Sequence, residues 1–187
     1  MEGETVAQGI IDALRHDHDQ VRRMFARLER ATGERRRDLF QQLVGELVRH
    51  EVAEEEILRP VSKRDAGKAI ANARIKEESQ AEDLLKEMEK VDPGSAEFTS
   101  KLAKLRREVE RHAEAEETKE FPRVVKKETP ERLKQMGRAY EAAKRAAPTR
   151  PHPSTPNTPA ANMLAGPFAA VMDRARDAVR DALKSAS

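Results

Sequence analysis

Two short runs of this chain carry residues able to do chemistry. His50 is followed four residues later by Glu54, and His112 four residues later by Glu116. On a helix that spacing puts an imidazole and a carboxylate on one face, one turn apart. Facing pairs of this kind can hold two cations. Imidazole with carboxylate and no thiolate suits iron, manganese or zinc. Thiolate is excluded outright, because the chain has no cysteine. The same absence excludes a disulfide scaffold, an iron–sulfur cluster and a cysteine nucleophile.

The two runs repeat one another. H-E-V-A-E-E-E-I-L-R-P (50–60) sits beside H-A-E-A-E-E-T-K-E-F-P (112–122), and Pro60 and Pro122 both fall ten residues after their histidine. Upstream, His18 precedes Val21, Phe25 and Leu28 by the same offsets as Glu78 precedes Ala81, Leu85 and Met88. Two helical hairpins in tandem, each carrying half a site, are the simplest account.

Residues 6–147 are rich in Ala, Leu, Glu, Lys and Arg, all good helix formers. Apolar residues at 3-4 spacing define four amphipathic segments. Their stripes are Ile11, Leu14, Val21, Phe25 and Leu28; Phe40, Leu43, Leu47 and Ile57; Ala71, Ala81, Leu85 and Met88; Phe98, Leu102, Leu105 and Val109. Breaks fall at Thr32-Gly33, around Pro60 and Gly67, and at Asp92-Pro93-Gly94-Ser95, while Pro122 ends or bends the fourth segment. A fifth helix over roughly 130–147 starts from Thr129 and Pro130, an N-cap and N1 pair. Helices of this length with short connections predict an all-α, antiparallel up-down-up-down four-helix bundle.

Continuing each stripe through its gaps meets polar residues. These are His18 in the first, His50 and Glu54 in the second, Arg74 and Glu78 in the third, and His112 and Glu116 in the fourth. A buried charge without a partner costs several kcal/mol, so the six at one depth, all but Arg74, which lies near the start of its helix, demand compensation. The predicted metal ligands are therefore His18, His50, Glu54, Glu78, His112 and Glu116. His16 lies about 200° around the helix from His18 and should face away. Glu51, Glu55, Glu56, Glu114 and Glu117 flank the pairs, and one of them is placed to order a ligand histidine through its second ring nitrogen. Arg59 and Phe121, next to the paired prolines, are candidates to cap the end of the site.

These residues resemble the hemerythrin family, specifically the bacterial HHE cation-binding domain, over about residues 8–146. His18, the two HxxxE pairs and the prolines after them carry the resemblance. The tail, Pro148-Thr-Arg-Pro-His-Pro153 and then Ala165-Gly166-Pro167 with a charged helix, looks like an extension of bacterial members. The resemblance implies a four-helix bundle around two iron ions, non-haem and bridged by carboxylate and oxo or hydroxo groups, that meets dioxygen, hydrogen peroxide or nitric oxide. The third helix departs from the pattern, since relatives usually carry histidine where this chain has Glu78. Glu78 has the right phase to be a ligand, and Glu77 and Tyr140 are the alternatives. A carboxylate there favours the ferric state, and with it oxidative or peroxidatic turnover over reversible oxygen carriage. Catalase-like, peroxidase-like or nitric-oxide-processing activity is thus compatible with the residues, as is an iron- or oxygen-responsive regulatory role.

Composition narrows the remainder. Hydrophobic and charged residues each make up 37% of the 187 residues, aromatics 3%, and net charge is +2. The scarcity of aromatics argues against β-sandwiches and barrels. The small net charge points to neither nucleic acid nor membrane. The start MEGETVAQG has no basic region or apolar core, so a cytoplasmic protein is expected. The expected organisation is a bundle with its fifth helix over 1–147, a Pro-rich linker over 148–166, and an amphipathic helix over 167–187. Five of the ten prolines, and His152, fall in that linker. The last helix, with Phe168, Val171, Met172, Ala175, Val179 and Leu183 on one stripe, should dock on the bundle or on a partner chain, including a second copy.

Overall fold

A computed structural model describes residues 9–147 and 168–185. The Pro-rich linker and His152 lie outside the described residues. Four long helices make the frame: α1 (Ile10–Arg30), α2 (Gly33–Ile57), α4 (Lys68–Met88) and α5 (Ala96–Ala115). Shorter elements follow the prolines: α3 (Arg59–Asp65) after α2, then a π turn (Glu116–Glu120) and α6 (Phe121–Lys127) after α5. The fifth helix is α7 (Pro130–Ala146) and the last is α8 (Phe168–Ser185). Among the described residues there is no strand. Among the described residues no helix is long and apolar enough to cross a membrane.

The predicted stripes are the core. Leu14, Phe25, Leu28, Leu43, Phe98 and Leu105 are each fully buried, worth roughly 1.5–3 kcal/mol apiece. Punctuation follows the expected chemistry. Ser95 Oγ accepts from the Phe98 N–H to cap α5, and Thr129 Oγ1 accepts from the Arg132 N–H to cap α7. The turn before α5 is closed by Asp92, whose side chain accepts from the Gly94 N–H.

Two further features position the site. Pro122 has no N–H to give to the turn before it, and the Phe121 N–H bonds to the Glu116 carbonyl five residues back. This π turn goes beyond the bend that the proline alone predicts; it inserts one residue into the helical register just past Glu116. Gly9 and Gly137 let α7 lie against the start of α1. A Cβ on Gly9 would meet the Leu133 carbonyl oxygen at 2.1 Å, and one on Gly137 would meet Gly9 backbone at 2.8 Å. Gly9 also has φ +67°, a conformation that disfavours other residues.

The last helix docks on the bundle. Phe168, Val171, Met172, Ala175 and Val179 are buried, and α8 packs on α2 and α7. Its polar side pairs with the bundle too, through Arg176 to Glu55 (2.8 Å) and Glu82 (3.2 Å) and through Arg180 to Glu56 (2.7 Å).

Candidate metal centre

The polar breaks of the four stripes meet at one level. Two groups of donors converge there: His18, His50 and Glu116, and Glu54, His112 and Glu116. Within each group one atom per residue lies within 4.8 Å of the others. Glu116, fully buried, belongs to both. Its Oε2 is 3.3 Å from His18 Nε2, and its Oε1 is 3.1 Å from His112 Nε2. On the α2 side, His50 Nε2 is 3.3 Å from Glu54 Oε2.

Each histidine is held by its other nitrogen. The His18 Nδ1–H donates to Glu117 Oε1 (2.8 Å), which Arg22 also engages at 3.0 Å. The His112 Nδ1–H donates to Glu77 Oε2 (3.2 Å), and Arg74 holds the other oxygen of Glu77 at 2.8 Å. His50 is held by a longer chain. Tyr140 O–H donates to Asp17 Oδ2 (2.6 Å), so the Tyr140 oxygen is left to accept from His50 Nδ1–H at 2.8 Å. Lys144 closes this chain on Asp17 at 2.7 Å. With every Nδ1 engaged, all three Nε2 atoms point to the common centre, the arrangement that fixes the tautomer of a metal-binding imidazole. Phe121 stacks on His18 at 6.0 Å between ring centroids.

Electrostatics follow from burial and neighbours. Burial alone would push His50 down, but its hydrogen bonds to Asp17 and Glu54 outweigh this and raise it to about 10. Burial likewise disfavours the charged form of His112, but the Glu116 carboxylate beside it wins and holds that imidazole well above its ordinary value. Glu116 is held well below the usual carboxylate range, against its burial, by His112 and His18. Burial pushes Glu78 up to about 7, with Arg59 opposing and Glu54 adding to the rise.

Five of the six residues predicted from sequence form the two donor groups. Glu78 stands beside them, with Oε1 3.9 Å from His112 Nε2 and paired to Arg59. Glu77 and Tyr140, the alternatives at that position, back His112 and His50 instead. His16 is exposed. Glu117 is the flanking carboxylate that orders a histidine. Asp17 falls outside the predicted set, although it sits three residues after Leu14 and four before Val21, on the stripe itself. Arg59 reaches further in than a cap would: it contacts Glu54 (2.5 Å), Glu78, Glu116 (3.4 Å) and Glu120 (3.0 Å).

These residues fit a metal. His18 Nε2 and Glu116 Oε2 are buried with no hydrogen-bond partner, a costly state that a cation would relieve. All donors are nitrogen or oxygen.

A helical bundle with paired His/Glu donors at its centre defines a class of cation-binding bundles, and comparison with known proteins is specific within it. The chain belongs to the hemerythrin HHE cation-binding domain family, whose profile matches residues 9–124. It is 29% identical over 172 residues to an uncharacterized hemerythrin-like protein of Schizosaccharomyces pombe, covering 90% of this chain and 85% of that one. Its fold is that of a hemerythrin HHE cation-binding domain-containing protein of Mycobacterium kansasii. That match has a TM-score of 0.67 at 21% identity, over 73% of this chain and 85% of the other.

Proposed function

We propose that the chain is a cytoplasmic, non-haem di-iron protein that reacts with dioxygen, hydrogen peroxide or nitric oxide. The observation that carries this reading is the pair of donor groups sharing Glu116. His18 and His50 would serve one ion, Glu54 and His112 the other, and Glu116 both, with Glu78 next to the second. Iron held there supplies electrons and Lewis acidity to a small oxidant. The chain's own contribution is positioning and exclusion. Glu117, Tyr140 and Glu77 aim the imidazoles, and Val21, Leu47, Leu85, Val109 and Ala113 line a cavity of about 60 Å³ against them. That volume is enough for a diatomic or peroxide.

The test is metal analysis with optical spectra before and after peroxide. Two irons per chain and a peroxide-dependent spectral change are expected. A chain that binds no iron, or consumes oxygen, peroxide and nitric oxide no faster than free iron, overturns the reading. The regulatory alternative draws on α8 as a partner contact, but the apolar stripe of α8 is covered by α2 and α7 of the same chain.

A further inference from the structure

One side chain in the centre is neither ligand nor backing for a histidine. Arg59 is 4% exposed, and its guanidinium stands among four carboxylates. Its Nη2 contacts Glu54 and Glu116, which are both carboxylates of the Glu54/His112/Glu116 group, and also Glu78. No contact joins it to His18 or His50 among the described residues. Its contact with the shared Glu116 goes to Oε1, the oxygen that faces His112, and not to Oε2, which faces His18.

The guanidinium is incompletely held. Its Nε is buried without a partner, as are those of Arg36, Arg49 and Arg74. Nearby acceptors are also unused: Glu120 Oε2 and Ser62 Oγ are buried with no hydrogen-bond partner. Glu120 already receives Nη1 through Oε1 at 3.0 Å, and Ser62 is on α3, three residues after Arg59. Both oxygens lie on the α3 and π-turn side of the guanidinium.

We propose that Arg59 is the resident cation of the centre, and that an ion enters the Glu54/His112/Glu116 group only by displacing it toward Glu120 and Ser62. This rests on the di-iron reading above. Metal then loads in order, the His18/His50/Glu116 group first and the Arg59-guarded group second. Arg59 holds together carboxylates that would otherwise repel, so the centre keeps its shape before metal arrives.

Anaerobic Fe(II) titration of the full chain tests the order. The wild type should bind one equivalent at least tenfold more tightly than the next. Arg59→Met should tighten the second equivalent about tenfold, leave the first within threefold, and lower the Tm measured without metal. Arg59→Lys keeps the charge but not the fork, and should tighten the second equivalent by a smaller factor. Arg59→Met/Glu120→Gln, with the charge balance restored, secures the test if the single variant folds poorly. Equal tightening of both equivalents makes Arg59 only a background field and overturns the proposal, as does a second equivalent that is unchanged or weaker. Absence of iron binding in every form overturns the di-iron reading itself, whereas two equal wild-type steps overturn only the ordering.

Discussion

The two donor groups share Glu116 but are supported differently. In the His18/His50/Glu116 group the charge behind His18 is a closed pair, Glu117 with Arg22, while the Phe121 ring stacks on His18 and the Tyr140 hydroxyl meets His50. Behind Tyr140 the charges of Asp17 and Lys144 cancel. The Glu54/His112/Glu116 group is crowded with charge, since Arg59, Glu78 and Glu120 press on it and Glu77 with Arg74 backs His112. Each group has one histidine backed by a carboxylate–arginine pair; beyond that pair the first meets a ring and a hydroxyl, the second a guanidinium and further carboxylates. In the second, Glu54 Oε1 and Glu116 Oε1 already hold a guanidinium.

The largest effect should come from the shared ligand. Glu116→Ala removes a donor from both groups and should abolish tight binding of both equivalents, read as metal per chain after dialysis. Retention of two metals would break the two-group description.

Next come the single-group ligands. His50→Ala should leave about one metal per chain and lower the melting temperature of the loaded protein, and His112→Ala should spare the other equivalent. Loss of both metals from either variant would mean that the groups do not load separately.

Tyr140→Phe removes one hydroxyl and should weaken the first equivalent about tenfold or more, the usual scale for outer-sphere partners. The second equivalent should stay within experimental scatter in the same titration. Glu77→Gln should weaken the second equivalent by only a few-fold, because Glu77 is 20% exposed and amide oxygen can still accept from His112. Equal losses in these two variants would erase the contrast in support. His16→Ala, on the exposed face of α1, should change neither equivalent.

Most of the frame is legible in the sequence. The 3-4 stripes identify the buried faces, the turn residues separate the helices, and the duplicated His-Glu-Pro offsets locate the centre. What stays hidden depends on contacts between segments far apart in the chain. Tyr140 reaches His50 through the packing of α7 on α2, while Gly9 and Gly137 let α7 lie close to α1 as well. Its stripe, Leu133, Met136, Tyr140 and Ala143, marks it as buried but names no partner. Arg59 follows Glu54 by five residues, a step that does not share a face on a regular helix. The long guanidinium arm closes the distance to Glu54, at 2.5 Å. The π turn is implicit in Pro122, yet a proline predicts that a helix is disturbed without saying in which register it resumes. Periodicity phases Glu78 correctly, but its pairing with Arg59 is a tertiary choice.

Tyr140 has an optical consequence. The chain has no tryptophan and this one tyrosine, so its intrinsic ultraviolet emission comes chiefly from a single phenol. That phenol is buried and hydrogen-bonded to His50. The protein therefore carries its own fluorophore one hydrogen bond from the centre, and filling of the His50 side can be followed by emission without any added label.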